Sequence, residues 1–579
     1  MNPKIEILRS WMRENGFDAC IVPQTDPHLS EYVEKYDEIR TYFSGFTGSA
    51  GTLLVTMQEA GLWTDSRYYI QAEQQLFGSG ITLYKDGLPT TPVMRLWLQE
   101  KVGTRGKVAA NAMCFSKNEW QQWQEVVDVV HEIGFEACWR DRPALSTCPC
   151  FLFPEKYAGK TASQKIAEFR QAMLEKGVGA CFLSALDDIA WLLNVRGNDV
   201  EYVPVVRSYL WIDQQQLVWW VSLDKVKDAL LLRYLADLGI QIAPYDDVEK
   251  DVLLYNRAHA VWVDASLLNA RLYQLMSQTY RLVDAPLWTS VAKSMKNEVE
   301  LQGIRRAMCL DGVAWVRSLM WLQEQLPFSP TELDFRDAME DFKKQSSLYM
   351  SESFAPIVGY AANAAIVHYE PTVATNKKIA SQGFLLVDAG SHYWCGTTDA
   401  TRTIACGPLS RQQCECYTWV LKGMIALASA KFDAATTGSE LDVMARRYLK
   451  MNGKDYGHGT GHGIGHVLSV HERGATISPR ATKPLCQGMV LSDEPGYYQT
   501  GDYGIRIENV ITVGVSEGGK FSFSVLTLIP LEMQAICVDL LSEKEKQWIN
   551  NYHHRVRESL RPMLSNKENE WLKLHTYEI

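Results

Sequence analysis

The 579-residue sequence has no run approaching the roughly 18 consecutive apolar residues that a membrane-spanning helix needs, so no such span is expected. It also lacks an apolar leader. Arg9, Arg13 and Glu14 interrupt the hydrophobic positions of an N-terminal amphipathic helix pattern, which excludes the continuous core of a secretion signal. Basic residues are in deficit, with 58 Lys and Arg against 68 Asp and Glu, and a net charge of -10 excludes the basic surface on which non-specific nucleic-acid binding depends. The 13 cysteines are scattered and odd in number. Cys148 with Cys150, and Cys414 with Cys416, are too close for ordinary bridging and lack the CxxC spacing of a zinc pair. These absences together point to reduced thiols in a cytoplasmic protein with no membrane or nucleic-acid partner.

What is present reads as a soluble chain of about three or four domains at roughly 150 residues each. Residues 1–154 alternate helix and strand patterns. Ile5, Leu8, Trp11 and Met12 share one helical face, a strand opens at Ala19, and Gly45, Gly48 and Gly51 mark a turn before the strand TLLVT. Asp65-Ser66 is predicted to cap a helix beginning near Tyr68, and a Pro/Cys-rich connector, 143–154, closes the segment. Residues 155–291 repeat the first segment: Arg9, Met12, Gly16 and Cys20 align with Arg170, Met173, Gly177 and Cys181, and YFSGFTG recurs loosely as WLLNVRG. A repeat this long implies tandem globular α/β domains.

Residues 292–579 form the third segment. Asn297 is placed to cap a long helix with Glu298 and Glu300 in its first turn. Ser329-Pro330-Thr331-Glu332, Ser410 to Gln413 and Ser542 to Glu545 read as capping boxes, the first with Pro at the opening helical position. Helix pairs over a curved antiparallel sheet, an α+β layout, are expected. The tail, 566–579, reads as charged and peripheral, and His553-His554 as a solvated helix face.

Five short, Gly-punctuated segments within this third part concentrate carboxylates and histidines: VDAG (387–390), GTTDATR (396–402), GHGTGHGIGH (457–466), SDEPGYY (492–498) and GIRIENV (504–510). Asp388 and Asp399 are expected to face inward from one hairpin, and Glu494 and Glu508 from neighbouring strands joined by a Gly/Asp turn. Four carboxylates in one buried place raise one another's pKa values by several units unless a positive charge joins them. No Lys cluster accompanies them, and His462 lies nearby, so two divalent cations are the economical counter-charge. Oxygen-rich ligation with one imidazole suits Mn, Co, Fe or Zn.

Single Asp residues beside Gly are more often turn residues, but turn chemistry does not explain glutamates inside apolar strands. His458, His462 and His466 have the fourfold spacing of a helical zinc site, yet the glycines at 457, 459, 461, 463 and 465 defeat a helix, each at about 1 kcal/mol relative to Ala. The segment is therefore expected to be extended. It lacks the Lys-Ser/Thr of a phosphate-binding loop.

In order and spacing, VDAG, TTDATR, GTGHGIG, VHE, DEPGYY and GIRIEN, with FSGFTGSAG (43–51) and WTDSRYY (63–69), resemble the pita-bread metallopeptidases, and most nearly the three-domain cytosolic aminopeptidases P, or Xaa-Pro aminopeptidases. The resemblance implies α/β N-terminal tandem domains plus an α+β pita-bread catalytic domain, divided as 1–154, 155–291 and 292–579. It implies that Asp388 serves one metal, that Asp399 and Glu508 bridge both, and that His462 and Glu494 serve the other. Manganese is the first choice, with zinc or cobalt as alternatives. It further implies a metal-bound hydroxide that attacks the carbonyl of residue one of peptides with proline in second position. Glu494 would take the nucleophile's proton, His471 would stabilise the oxyanion, and His368 would contact the departing amine. His458 would line the pocket, Arg506 would orient a carboxylate, and a homodimer is expected.

His392 and His466 are assigned to ordinary structure. The chain departs from the family at Glu472-Arg473-Gly474, where a small, glycine-led run is common; Arg473 bears on substrate length preference. The alternatives are a prolidase, which takes only Xaa-Pro dipeptides, and a non-catalytic pita-bread peptide-binding module. Creatinase shares the fold but lacks this metal set.

Overall fold

The computed structural model describes residues 2–255, 260–516 and 518–579. It separates into two compact units, Met1–Glu155 with Lys160–Ser290, and Lys156–Gly159 with Val291–Ile579.

The first unit holds two six-stranded sheets of the same design. One runs Thr82–Lys85, Ala60–Thr64, Thr52–Thr56, Ala19–Pro23, Lys107–Ala110, Asp128–His131; the other runs Ile240–Pro244, Leu217–Val221, Ser208–Asp213, Ala180–Leu183, Ala260–Val263, Arg281–Asp284. Across each sheet the pairings follow one sequence: parallel, antiparallel, antiparallel, parallel, parallel. The segments that align in sequence thus carry one strand order. Their opening helices, Pro3–Asn15 and Ala162–Lys176, both end on a left-handed glycine, Gly16 at φ 69° and Gly177 at φ 72°. Alternation along a strand explains why the sheets are apolar on both faces: Cys20 and Val22 enter one hydrophobic cluster, while Ala19 and Ile21 enter the cluster on the opposite face.

Although the repeat predicts two tandem domains, both copies fall in one unit, because polar groups are buried between them. Arg207 of the second copy pairs with Asp37 of the first. The buried His28 ring donates from Nδ1 to the Ser184 carbonyl at 2.9 Å, and Asn269 Nδ2 donates to the Pro27 carbonyl at 2.8 Å.

The second unit pairs its strands antiparallel throughout the described residues. Ile357–Tyr360, Phe384–Asp388 and Thr401–Ala405 form one sheet, and Lys431–Phe432, Phe521–Val525, Asn509–Val515, Val490–Asp493, Gly461–Gly463 and Glu472–Ile477 form another. Two pairs of helices pack within this unit: Glu298–Gln325 with Glu332–Lys344, and Arg411–Ala428 with Gly438–Met451. Asn297 caps the first of these helices by accepting the Glu300 N–H at 3.0 Å. The boxes at Ser410 and Ser542 are formed as expected.

Several local expectations are corrected. Ser329 and Pro330 precede the next helix, whose cap is Thr331 with Asp334. Asp65 caps no helix; its carboxylate is taken by the Arg67 side chain, and the helix starts uncapped at Tyr69. The tail is docked rather than peripheral: Leu572 and Thr576 are buried, and the Asn550 side chain clips the backbone of Ile579 at both N–H and carbonyl.

His553 is buried, not solvated, because its Nε2 accepts the Leu531 N–H at 3.1 Å. Burial, reinforced by Arg557 and Arg402, pushes its pKa down to about 3. A histidine held neutral in the fold takes up a proton more readily when unfolded, so its contribution is complete above the ordinary pKa of 6.5 and is lost as pH falls toward 3. His553→Gln is therefore expected to flatten the decline of Tm between about pH 6.5 and 3. Melting curves at intervals of pH check this, and an unchanged slope would contradict it.

Candidate metal centre

The site lies where the ends of two strand pairs meet. Asp388 ends Phe384–Asp388 and sits in register with Thr401 on the neighbouring strand; Asp399 lies two residues before Thr401. Glu494 follows Val490–Asp493, and Glu508 precedes Asn509–Val515. Asp493 and Asn509 are register partners, so the two glutamates leave the strand pair side by side. The expected Gly/Asp turn between them is a complete inserted hairpin, Gly496–Gln499 with Tyr503–Arg506. The two pairs are joined by the Glu508 N–H, which donates to the Thr401 carbonyl at 3.1 Å.

The glycine-rich segment forms no helix, and its Gly461–Gly463 is a short strand paired between Val490–Asp493 and Glu472–Ile477 in the same sheet. Gly461 cannot be replaced by a larger residue, because a Cβ there would collide with the Ser492 carbonyl. This close approach sets His462 against the carboxylates. The backbone N–H of His462 donates to Ser492 Oγ at 3.0 Å, and Ser492 Oγ in turn donates to Glu494 at 3.2 Å.

Ligand atoms of Asp399, His462 and Glu508 all lie within 4.8 Å of one another. His462 Nε2 stands 3.5 Å from both Asp399 Oδ2 and Glu494 Oε1. The Gly463 carbonyl can only accept, so the 2.9 Å bond to His462 Nδ1 places the ring proton there. In the neutral ring Nε2 then presents a lone pair toward two carboxylates. Lone pairs facing oxygens across that gap are repulsive without a cation between them, and an imidazole anchored through its other nitrogen is the usual form of a metal-ligating histidine.

The electrostatics agree with that fit. Burial first, then the neighbouring Asp388 and Glu494, raise the Asp399 carboxyl well above its ordinary range. Burial, Asp399 and Asp388 do the same to Glu508. Burial pushes Glu494 up to about 7, with Arg506 opposing and Asp388 reinforcing the shift. Asp388 Oδ1 is buried and accepts no hydrogen bond, while Oδ2 accepts from Arg506 Nη2 at 2.6 Å. The residues present therefore fit divalent cations: four inward carboxylates, one oriented imidazole and one orphaned carboxylate oxygen.

The remaining candidates gather at the same place. The His471 ring stands edge-on to His462 with centroids 4.4 Å apart. His368 is half-buried and follows Val367, whose carbonyl accepts from Arg506 Nη1 at 3.3 Å. His458 donates from Nδ1 to the Gly459 carbonyl, so its Nε2 accepts from Tyr498 OH at 2.8 Å; that oxygen accepts from Arg506 Nη1 at 2.7 Å. Arg506 thus donates in two directions, to Asp388 on one side and to Tyr498 on the other, and Tyr498 passes its own proton to His458. His392 makes a local bond to Thr397 Oγ1, whereas His466 donates from Nε2 to the carbonyl of Tyr157, far away in sequence. Arg473 is exposed on Glu472–Ile477.

Sequence reasoning missed Tyr498, Thr401 and Ser492 as supports. Thr401 Oγ1 donates to Glu508 at 2.7 Å and accepts from Arg506 Nε at 3.1 Å. The available signal was position, since each lies within a motif segment already singled out.

Comparison with known proteins is consistent along the whole chain. Residues 302–514 match the model of metallopeptidase family M24, and residues 519–579 that of the C-terminal region of peptidase M24. Residues 4–138 and 141–300 match two models of the creatinase/prolidase N-terminal domain. Xaa-Pro aminopeptidase 1 of Dictyostelium discoideum is 34% identical, with 99% of this chain and 96% of that protein covered. Aminopeptidase P1 of Arabidopsis thaliana is 33% identical, with 100% and 99% covered. This chain belongs to the aminopeptidase P family. A crystal structure of a family member, the X-prolyl aminopeptidase of Caenorhabditis elegans, superimposes with a TM-score of 0.95 at 31% identity over 100% of this chain and 99% of that one. That relative is described as a cytosolic enzyme with a di-nuclear active site. An aminopeptidase P catalytic domain of the pita-bread class thus follows creatinase-type domains here.

A crowded acid cluster predicts a crossing of stabilities. Stripped of metal, Glu508→Gln is expected to melt higher than the parent chain, by about 1–2 kcal/mol, since one pKa unit of relieved repulsion is worth about 1.4 kcal/mol. With manganese added the order is expected to reverse, because the parent then gains binding energy that the variant lacks. Thermal melts of the two proteins with and without metal measure this; a parent that is more stable in both states would contradict the account.

Proposed function

We propose that the chain is a dinuclear metal-dependent aminopeptidase that removes the first residue from peptides with proline in second position. The observation that supports the reading is the convergence of Asp399, His462 and Glu508 within 4.8 Å of one another, with Glu494 3.5 Å from His462 Nε2 and Asp388 a charged neighbour of Asp399. Asp388 would hold one cation, His462 and Glu494 the other, and Asp399 with Glu508 would bridge them. When bound, the cations supply an activated water and polarise the scissile carbonyl.

The protein's own groups do the rest. Glu494 would take the proton of the attacking water on its carboxylate. His471, beside His462, donates to the oxyanion as it develops. His368 donates to the peptide nitrogen that departs. Arg506 fixes Asp388, and His458 with Tyr498 fixes Arg506. A prolyl amide has no N–H and a locked φ, so a pocket shaped to the ring accepts a bond that other peptidases reject.

Manganese is the proposed metal, with zinc or cobalt as alternatives for the same donor set. The division 1–154, 155–291 and 292–579, a cytoplasmic location and a homodimer complete the proposal. The description of the C. elegans relative supports the location, and among the described residues no helix is long and apolar enough to cross a membrane.

Release of the first residue is expected from Xaa-Pro-Xaa peptides, to be abolished by chelation and restored by manganese. Exclusive cleavage of Xaa-Pro dipeptides would favour the prolidase reading, and absence of metal binding in calorimetry the non-catalytic one. His471→Ala is expected to lower kcat by about 10²–10³ while KM changes little, as for loss of an oxyanion donor. Steady-state kinetics on a Pro-containing tripeptide would decide it, and an effect confined to KM would remove His471 from that role.

A further inference from the structure

Arg402 is 1% exposed and lies three residues beyond Asp399, yet none of its bonds reaches a carboxylate side chain within the site. Its guanidinium has two groups of neutral acceptors. On the side of the metal centre, Nη1 donates to the carbonyls of Thr401 at 2.8 Å and Glu508 at 2.6 Å, and Nη2 donates to Asn509 Oδ1 at 2.9 Å. On the side of the C-terminal region, Nε donates to the Pro530 carbonyl at 3.1 Å, and Nη2 to the Ile529 carbonyl at 2.9 Å and to Tyr552 OH at 2.8 Å. Tyr552 belongs to the helix Glu543–Leu560 and itself donates to the Ile529 carbonyl at 2.7 Å.

Glu508 is consequently held at three points. Its N–H donates to the Thr401 carbonyl, its carbonyl accepts from Arg402, and its carboxylate accepts from the Thr401 hydroxyl. Arg402 also holds the Thr401 carbonyl that receives the first of these bonds. A planar fork with five N–H donors, one Nη2 hydrogen being shared, can span these six acceptors at 401, 508–509, 529–530 and 552; an ammonium with three donors cannot.

We propose that Arg402 is a positioning residue that ties residues 529–552 to the bridging carboxylate Glu508, so that the C-terminal region sets the affinity of the centre for its cations. This rests on the metallopeptidase reading. It assigns a role in metal occupancy to a helix, Glu543–Leu560, that supplies no ligand.

The test uses the full-length chain stripped of metal and titrated with Mn²⁺ alone by calorimetry, alongside thermal melts and kinetics on a Pro-containing tripeptide. Arg402→Lys keeps the charge and removes the fork. It is expected to weaken Mn²⁺ binding by about 10–100-fold, as loss of an outer partner of a metal ligand does, and to lower kcat at saturating metal while leaving KM nearly unchanged. Tyr552→Phe deletes one distant hydroxyl, folds with its ring packing intact and is expected to weaken Mn²⁺ binding several-fold in the same sense. If either folded variant melts lower yet binds Mn²⁺ with the parent's affinity, Arg402 is merely structural and the proposal is overturned. Should Arg402→Lys fail to fold, Tyr552→Phe decides alone. A parent chain that binds no Mn²⁺ would instead overturn the metallopeptidase reading, and this inference with it.

Discussion

Charge crowding in a dry place governs the catalytic unit. Asp399 and Glu508 are buried together with Asp388, Glu494 beside them is half-buried, and Asp399, Glu494 and Glu508 each have the carboxyl driven upward, chiefly by desolvation. Nothing about packing requires acids there, and apolar residues on these strands would make a more stable sheet. The arrangement is tolerable only with compensating positive charge. Arg506 supplies part of it by pairing with Asp388, and the geometry around His462 Nε2 leaves the remainder to cations.

Holding such a cluster requires support on every side, and the support is mostly uncharged. Thr401, Ser492 and Tyr498 each accept from one neighbour and donate to another, so a hydroxyl's two-sided chemistry sets the direction of each chain of bonds. The glycines serve a different need, bringing backbone close enough for His462 to reach the acids. Loss of a supporting hydroxyl leaves a charged partner without its bond inside the protein, and such losses act on the site without removing any ligand.

Much of this was legible in the sequence for a physical reason. Carboxylates at the ends of apolar strands, flanked by glycines, have few structural explanations, and the strand register then brings Asp388, Asp399, Glu494 and Glu508 together. The α+β layout and the repeated α/β unit were likewise readable from periodicity and aligned glycines. What escaped reading depended on partners far along the chain. His553 and the tail look solvated from their own neighbours, yet Leu531 and Asn550 bury or clip them. The hairpin Gly496–Gln499 with Tyr503–Arg506 looked like a simple turn, because local pattern does not show that it folds inward to deliver Tyr498 and Arg506. Asp65 beside Ser66 looked like a cap, but its own neighbour Arg67 competes for the carboxylate.

The twin sheets of the first unit carry identical strand orders but are not interchangeable parts. Arg207 and Asp37 satisfy each other across the two copies, and His28 and Pro27 spend their bonds on Ser184 and Asn269. A chain shortened to one copy would present an ionic half-pair and unmet carbonyls on a surface shaped for a neighbour rather than for water. Whatever doubling produced this pair, each half now completes the other, and the two can be kept or discarded only as a single piece.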